Sequence, residues 1–260
     1  MGIAANGNAR LFWREDGAGP PLLLLNSVGC DLSLWDAVMP QLSDFRVIRF
    51  DMRGHGRSNS PPGDYTLDEI AADAAAVLDA AGIGKAAICG LSLGGMTAMT
   101  LALNAPERVA SLILACTSAW MDPQGWNNRI EIVRSQGMAG VVDAVMARFF
   151  SERFRLAHAA EAGAVRARFL GLDPQGYAGC CAAIRDMALL DRISAIRKPT
   201  LIIAGKDDVA TPFLGHGDEI EKRIRGAEVT MLATAHIAPI ESPAAFAAAV
   251  TGFLAGARHA

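Results

Sequence analysis

Gly90-Leu91-Ser92-Leu93-Gly94 follows an apolar run at residues 86–89 and precedes a helix-forming segment. Glycines two positions before and after a serine suit a sharp strand-to-helix turn that lifts the hydroxyl above the end of a sheet, and Gly95 extends the room for close approach. A serine hydroxyl is a weak nucleophile near neutral pH. It requires a base within hydrogen-bond reach and an acid that orients that base. Of the five histidines, His55 and His158 come too early for the chain order serine, acid, histidine. His216 lies in a Gly-rich segment at an expected helix start and His259 in the terminal tail. His236 follows an expected strand at 228–232 by four residues, where a loop can swing over the turn, and is the predicted base. For the acid, Gly205-Lys206-Asp207-Asp208 directly follows an expected strand at 201–204. Asp208 is preferred because it must reach inward ahead of Thr211-Pro212, leaving Asp207 as a solvated neighbour.

Negative charge developing on an attacked carbonyl needs fixed donors. The backbone N–H of Leu93, next after the nucleophile, is one, and that of Val28, in the loop after residues 22–25, is the predicted second. Gly29 lets that loop curl close to a substrate. Arg53-Gly54-His55-Gly56-Arg57-Ser58 suggests phosphate binding at first sight. It lacks the Gly-Lys-Ser/Thr ending of a phosphate-binding loop and runs into Pro61-Pro62, so it is read as a structural loop.

The elements that must hold these residues follow from periodicity. Asn6-Gly7 between short apolar runs predicts an opening hairpin with a second strand at 9–14. Residues 22–25 and 45–50 read as strands, 67–81 as helix, 86–89 as strand, 96–103 as helix and 111–115 as strand. That alternation means a parallel sheet with crossover helices. From Trp120 to Arg192 only helical periodicity appears, so an all-helical cap is expected. The alternation then resumes with strand 200–204, helix 218–225, strand 228–232 and a final helix at 244–254. The expected organisation is a first core segment at 1–119, a cap at 120–192 and a second core segment at 193–260. With no repeats and no low-complexity linker, the cap should close over the sheet edge and make a pocket.

Composition narrows the function classes. The chain has 260 residues, 52% of them hydrophobic, with 24 Lys plus Arg against 27 Asp plus Glu. That is enough apolar surface for a substantial core, which excludes intrinsic disorder. A formal charge of -3 without blocks of like charge predicts no nucleic-acid partner. No run of about 18 apolar residues occurs and the N-terminal residues lack secretory features, so no membrane association and a cytoplasmic location are expected. Gly2 does not begin a myristoylation motif, because Asn6 stands where Ser or Thr is required. Cys30, Cys89, Cys116, Cys180 and Cys181 lack metal-ligand spacing and fit buried thiols of a reducing compartment, so neither a disulfide nor a metal is predicted.

With nucleophile, acid and base in place, the chain resembles the α/β-hydrolase superfamily over essentially its whole length. Within it, the chain is similar to the 3-oxoadipate enol-lactone hydrolases of protocatechuate and catechol breakdown. The similarity lies in Asn26-Ser27-Val28-Gly29, Asp51-Met52-Arg53-Gly54-His55-Gly56-Arg57-Ser58 and Gly90-Leu91-Ser92-Leu93-Gly94-Gly95-Met96. Three further segments carry it: Trp126-Asn127-Asn128-Arg129-Ile130, residues 176–186 from Gly176-Tyr177 to Arg185-Asp186, and Asp208-Val209-Ala210-Thr211-Pro212. Asp208 matches the family's acid position. The chain departs from the family at Phe213, where a second proline is typical, and at Ile237-Ala238-Pro239, where a small polar residue usually follows the histidine.

The resemblance implies an α/β-hydrolase fold, with a mostly parallel central sheet flanked by helices and an all-helical cap inserted after the sixth strand. It also implies a reaction. Ser92 would open a lactone carrying a free carboxylate, His236 would move the protons, and an acyl-enzyme would be hydrolysed to 3-oxoadipate without metal or organic cofactor. The carboxylate requires cationic donors in the cap, where every basic residue between Trp120 and Arg192 is arginine, the residue suited to bidentate carboxylate binding. Arg129 and Arg185 are the candidates, the alternative being that they pair with Glu131 or Asp186, and Trp126 is either a pocket wall or packed against the core. Rival readings are a carboxylesterase or a carbon-carbon bond hydrolase on the same triad, and a ligand-binding protein of the same fold.

Overall fold

The computed structural model describes residues 1–257. The chain opens with β1 (Gly2–Asn6) and β2 (Ala9–Asp16), an antiparallel hairpin in which Asn6 faces Ala9. Gly7 takes the left-handed conformation, φ 56°, that a two-residue turn demands. β2 runs to Asp16, two residues past the expected end, because residues 13–16 pair antiparallel with residues 47–50. Pairing across the sheet extends a strand that local pattern would stop.

β3 (Pro21–Leu25) and β4 (Arg46–Phe50) follow, then α1 (Leu67–Ala80), β5 (Ala86–Leu91), α2 (Leu93–Asn104) and β6 (Val109–Ala115). α1 starts at a capping box in which Thr66 and Glu69 satisfy each other's backbone N–H groups. α2 carries almost no polar face and is nearly all buried, which suits the helix that leaves the serine turn and packs against β3, β5, β6 and α1. Between β6 and the next strand lie only helices: α3 (Pro123–Gln136), α4 (Val142–Phe149), α5 (Glu152–Ala157), α6 (Ala159–Leu170) and α7 (Pro174–Arg185). The chain then gives β7 (Thr200–Gly205), α8 (Asp218–Arg223), β8 (Glu228–Leu232), α9 (Ala238–Glu241) and α10 (Pro243–Ala257).

The eight strands stand in the order β1-β2-β4-β3-β5-β6-β7-β8, and all neighbours from β4 onward are parallel. The four leucines of β3 are buried, as a strand sandwiched between helices on both faces must be. After β3 the chain steps to one side to make β4, then returns to the other side to make β5. The loops leaving β3 and β5 therefore diverge and open a crevice at the carboxyl end of the sheet, the place where open α/β sheets take ligands. No helix among the described residues is long and apolar enough to cross a membrane. All five cysteines are buried and free.

Candidate active site

Ser92 sits between β5 and α2 at φ 56° and ψ -115°, a conformation that costs a non-glycine residue about 1–3 kcal/mol unless its surroundings enforce it. They do. Its amide donates to the Ala115 carbonyl on β6 at 2.9 Å, and its own carbonyl accepts the Thr117 hydroxyl at 2.6 Å. The turn is as crowded as the motif implies: a Cβ on Gly94 would stand 2.1 Å from the Leu25 carbonyl oxygen, and one on Gly90 2.2 Å from that of Gly94. Backbone atoms cannot yield that distance, so both positions exclude any side chain.

His236 and Asp208 meet where the sequence order places them. Nδ1 of His236 lies 2.9 Å from Oδ2 of Asp208, with both side chains essentially out of water. Burial pushes the Asp208 carboxyl upward. The charge and hydrogen bond of His236 and the amides of Thr211 and Ala210 outweigh it and bring the pKa to about 2. The Thr211 hydroxyl adds a fourth donor at 2.9 Å. An ionised Asp208 only accepts, so the His236 proton belongs on Nδ1 and Nε2 is left with a free lone pair. Asp207 is exposed and ties its amide to Thr234, which leaves Asp208 as the inward carboxylate. His216 faces Ser118 at 2.8 Å instead, and His259 lies outside the described residues.

The loop after β3 is fixed from below. Asn26 donates to the Phe50 carbonyl and accepts from the Trp35 indole, tying the loop to β4. Gly29, at φ 87°, donates its amide to Nε2 of His55 at 2.9 Å. His55 is therefore an uncharged internal prop, and burial lowers its pKa. Arg53 is locked in a fork onto Asp73 at 2.6 and 2.8 Å, so the segment from Arg53 to Ser58 is scaffold rather than an anion loop. Val28, held between these anchors, has its N–H unclaimed by any protein acceptor among the described residues. The Leu93 N–H is likewise free, as the first residue of a helix must be.

Ser27, Val28, Ser92 and His236 open into one cavity of about 390 Å³. Its far wall is the helical insertion: Trp126, Arg129 and Ile132 from α3, and Ala144, Val145, Arg148 and Phe149 from α4. Arg129 lies over the Trp126 ring with 4.4 Å from guanidinium to ring centre. Neither Arg129 nor Arg148 meets a carboxylate at ion-pair distance among the described residues. Burial and then the charge of Arg129 lower the pKa of Arg148, whereas that of Arg129 is raised, its burial outweighed by Tyr177 and Cys181. The acid at the rim, Asp122, is engaged in capping α3 through the amides of Gln124 and Gly125.

Arg185 stands apart from the other predicted site residues. It does not line the cavity; its guanidinium binds Asp64 at 3.1 Å and Asp186 at 2.5 Å. The last turn of α7 points that side chain outward, where two acids neutralise it. Arg148, which the sequence reading did not single out, lines the cavity beside Arg129. The sequence contains a usable signal, since Ala144, Val145 and Arg148 share one face of α4, with Val141 just ahead of the helix, and a lone arginine on an apolar stripe is out of place. Thr211, three residues after Asp208, is a legible turn partner. Thr117 is not, because its contact with Ser92 exists only once β6 lies beside β5.

The sequence profile of the α/β hydrolase fold family matches residues 20–243. The chain is 33% identical to 3-oxoadipate enol-lactonase 2 of Acinetobacter baylyi, over 89% of this chain and 87% of that protein. It is 28% identical to the pimeloyl-[acyl-carrier protein] methyl ester esterase of Nitrosomonas europaea, over 90% of this chain and 95% of that one. Among solved structures, the enol-lactonase from Burkholderia xenovorans LB400 superposes with a TM-score of 0.95 at 35% identity, covering 97% of this chain and 99% of that one. A strained serine turn, a histidine on a buried carboxylate and a sheet reversing order at β3 all agree with that match, and the chain belongs to the α/β hydrolase fold family.

Proposed function

We propose that this hydrolase opens the ring of 3-oxoadipate enol-lactone with water, through an acyl-enzyme on Ser92, in bacterial breakdown of aromatic compounds. The observation that carries the reading is the pair of unneutralised arginines, Arg129 and Arg148, in the same cavity as Ser92 and His236. A neutral ester leaves two like charges facing each other; a lactone with a free carboxylate compensates them by charge-assisted hydrogen bonds. The enol-lactonase names among the relatives point the same way.

In this reading Ser92 Oγ attacks the lactone carbonyl while His236 Nε2 takes its proton, and Asp208 stabilises the imidazolium without accepting the proton itself. The amides of Val28 and Leu93 receive the oxyanion, each worth on the order of a hundred- to a thousand-fold in turnover. Collapse breaks the ring C–O bond, and the proton on His236 goes to the departing enol oxygen. His236 then deprotonates water for attack on the acyl-enzyme, and the freed enol tautomerises to 3-oxoadipate. Trp126 walls the pocket beneath Arg129. Nothing in these steps requires a metal or organic cofactor. The five buried thiols suit a reducing cytoplasm.

The test is loss of enol-lactone absorbance with purified protein. Saturable turnover, abolished by Ser92→Ala on the order of a million-fold, with simple neutral esters at least about a hundred-fold poorer in kcat/KM, supports the assignment. Preference for a neutral ester overturns it in favour of a carboxylesterase. Slow turnover unaffected by Ser92→Ala favours a ligand-binding role.

A further inference from the structure

The loop bearing His236 is tied to the helical insertion at three alternate positions. The Ile237 amide donates to the Phe149 carbonyl at the end of α4, at 2.9 Å. The Ala235 amide donates to Oε2 of Glu241 at 3.0 Å, and Glu241 in turn accepts the hydroxyl and, at 3.4 Å, the amide of Ser151, the residue that caps α5. The Ala233 carbonyl accepts from Arg153 at 3.4 Å. The Phe149 ring lies over the His236 imidazole, 6.1 Å between centres and 20° between planes. From the sheet side the Asp207 amide donates to the Thr234 carbonyl and Asp208 meets the His236 ring itself.

We propose that Glu241 is a positioning residue for His236. It acts as a carboxylate clasp that fixes the histidine loop to residues 149–151 of the insertion, so that the base is aimed by the wall holding the substrate. Three donors converge on Glu241 from two separate elements, and only a carboxylate accepts all of them at once. Arg148 immediately precedes Phe149, so the side chain that faces the anion and the one that covers His236 are consecutive on α4. The clasp rests on the reading of His236 as the base, and not on which ester or lactone is the substrate.

The experiment therefore uses a probe indifferent to substrate identity. A fluorophosphonate phosphonylates an activated serine with loss of fluoride, so its rate constant at Ser92 reports how well His236 is placed and its final amplitude counts folded sites. Glu241→Ala should slow labelling and lower kcat by about ten- to a hundred-fold, the scale of a small misplacement of a reacting group, with KM within two-fold and full amplitude. Glu241→Gln, which keeps an acceptor for Ala235, should recover to within about five-fold of the original rate, and Ser151→Ala should fall between the two. A Glu241→Ala protein that labels at the original rate overturns the proposal, as does one that only loses amplitude or thermal stability with its rate per site intact. If the protein labels rapidly yet ignores the enol-lactone, the substrate assignment fails and the clasp is still tested.

Discussion

Nε2 of His55 accepts the amide of Gly29 at 2.9 Å, while Nδ1 of the same ring lies 3.1 Å from the Arg53 carbonyl. An acceptor at one nitrogen and a donor at the other allow a single neutral tautomer. The ring thus joins the loop after β3 to the loop after β4 at Gly29, the residue after Val28.

That arrangement sets the sign of a pH effect. Burial lowers the folded-state pKa of His55, whereas the unfolded chain takes up this proton below about pH 6.5. The unfolded state then binds more protons, so this contribution to stability is full above that pH and is lost as pH falls. Calorimetric Tm should drop between pH 7.5 and 5.5. In His55→Gln, which cannot titrate, the drop should be smaller, and equal slopes for both proteins would refute the assignment.

Arg129→Met and Arg148→Met should each reduce kcat/KM for the enol-lactone by about ten- to a hundred-fold, the worth of a hydrogen bond to a charged group. KM for a neutral aryl ester should barely move. Arg185→Met is the comparison: its ion pairs with Asp64 and Asp186 lie on the surface, where such pairs contribute about 0–1 kcal/mol, and lactone kinetics should not change. Equal losses on lactone and neutral ester would remove the two cavity arginines from substrate recognition.

Ser92→Gly should abolish turnover and raise Tm. Glycine adopts φ 56° without strain, and the gain exceeds the added chain entropy by about 1 kcal/mol, or roughly 2–4 °C for a protein of this size. A Tm below that of the original protein would show that the serine turn carries no stored strain.

Much of the fold was legible because its signals are local. Strand 228–232 matches β8 at both ends, and the helix expected from 67 stops at Ala80, one residue early. Ser92, Asp208 and His236 could be chosen by chain order because each follows a strand and the carboxyl ends of parallel strands share one edge. The arginines were harder. Arg129 and Arg185 both sit in helices of the insertion; Asp186 beside Arg185 is a local sign that this arginine is paired, but its other partner, Asp64, lies 121 residues away in sequence. Thr117 and Glu241 act through contacts 25 residues along the chain in one case and 90 in the other, which only the assembled sheet and insertion create.

The bond from Ile237 to Phe149 has a bearing on redesign. Helical lids look like interchangeable modules, and a chimera carrying a foreign lid on this sheet would retain Ser92 and Asp208 undisturbed. It would keep the acceptor for the Ile237 amide only by setting a main-chain carbonyl where that of Phe149 now stands. A graft that transfers new selectivity must bring its own histidine loop along, because in this molecule the two are inherited as one piece.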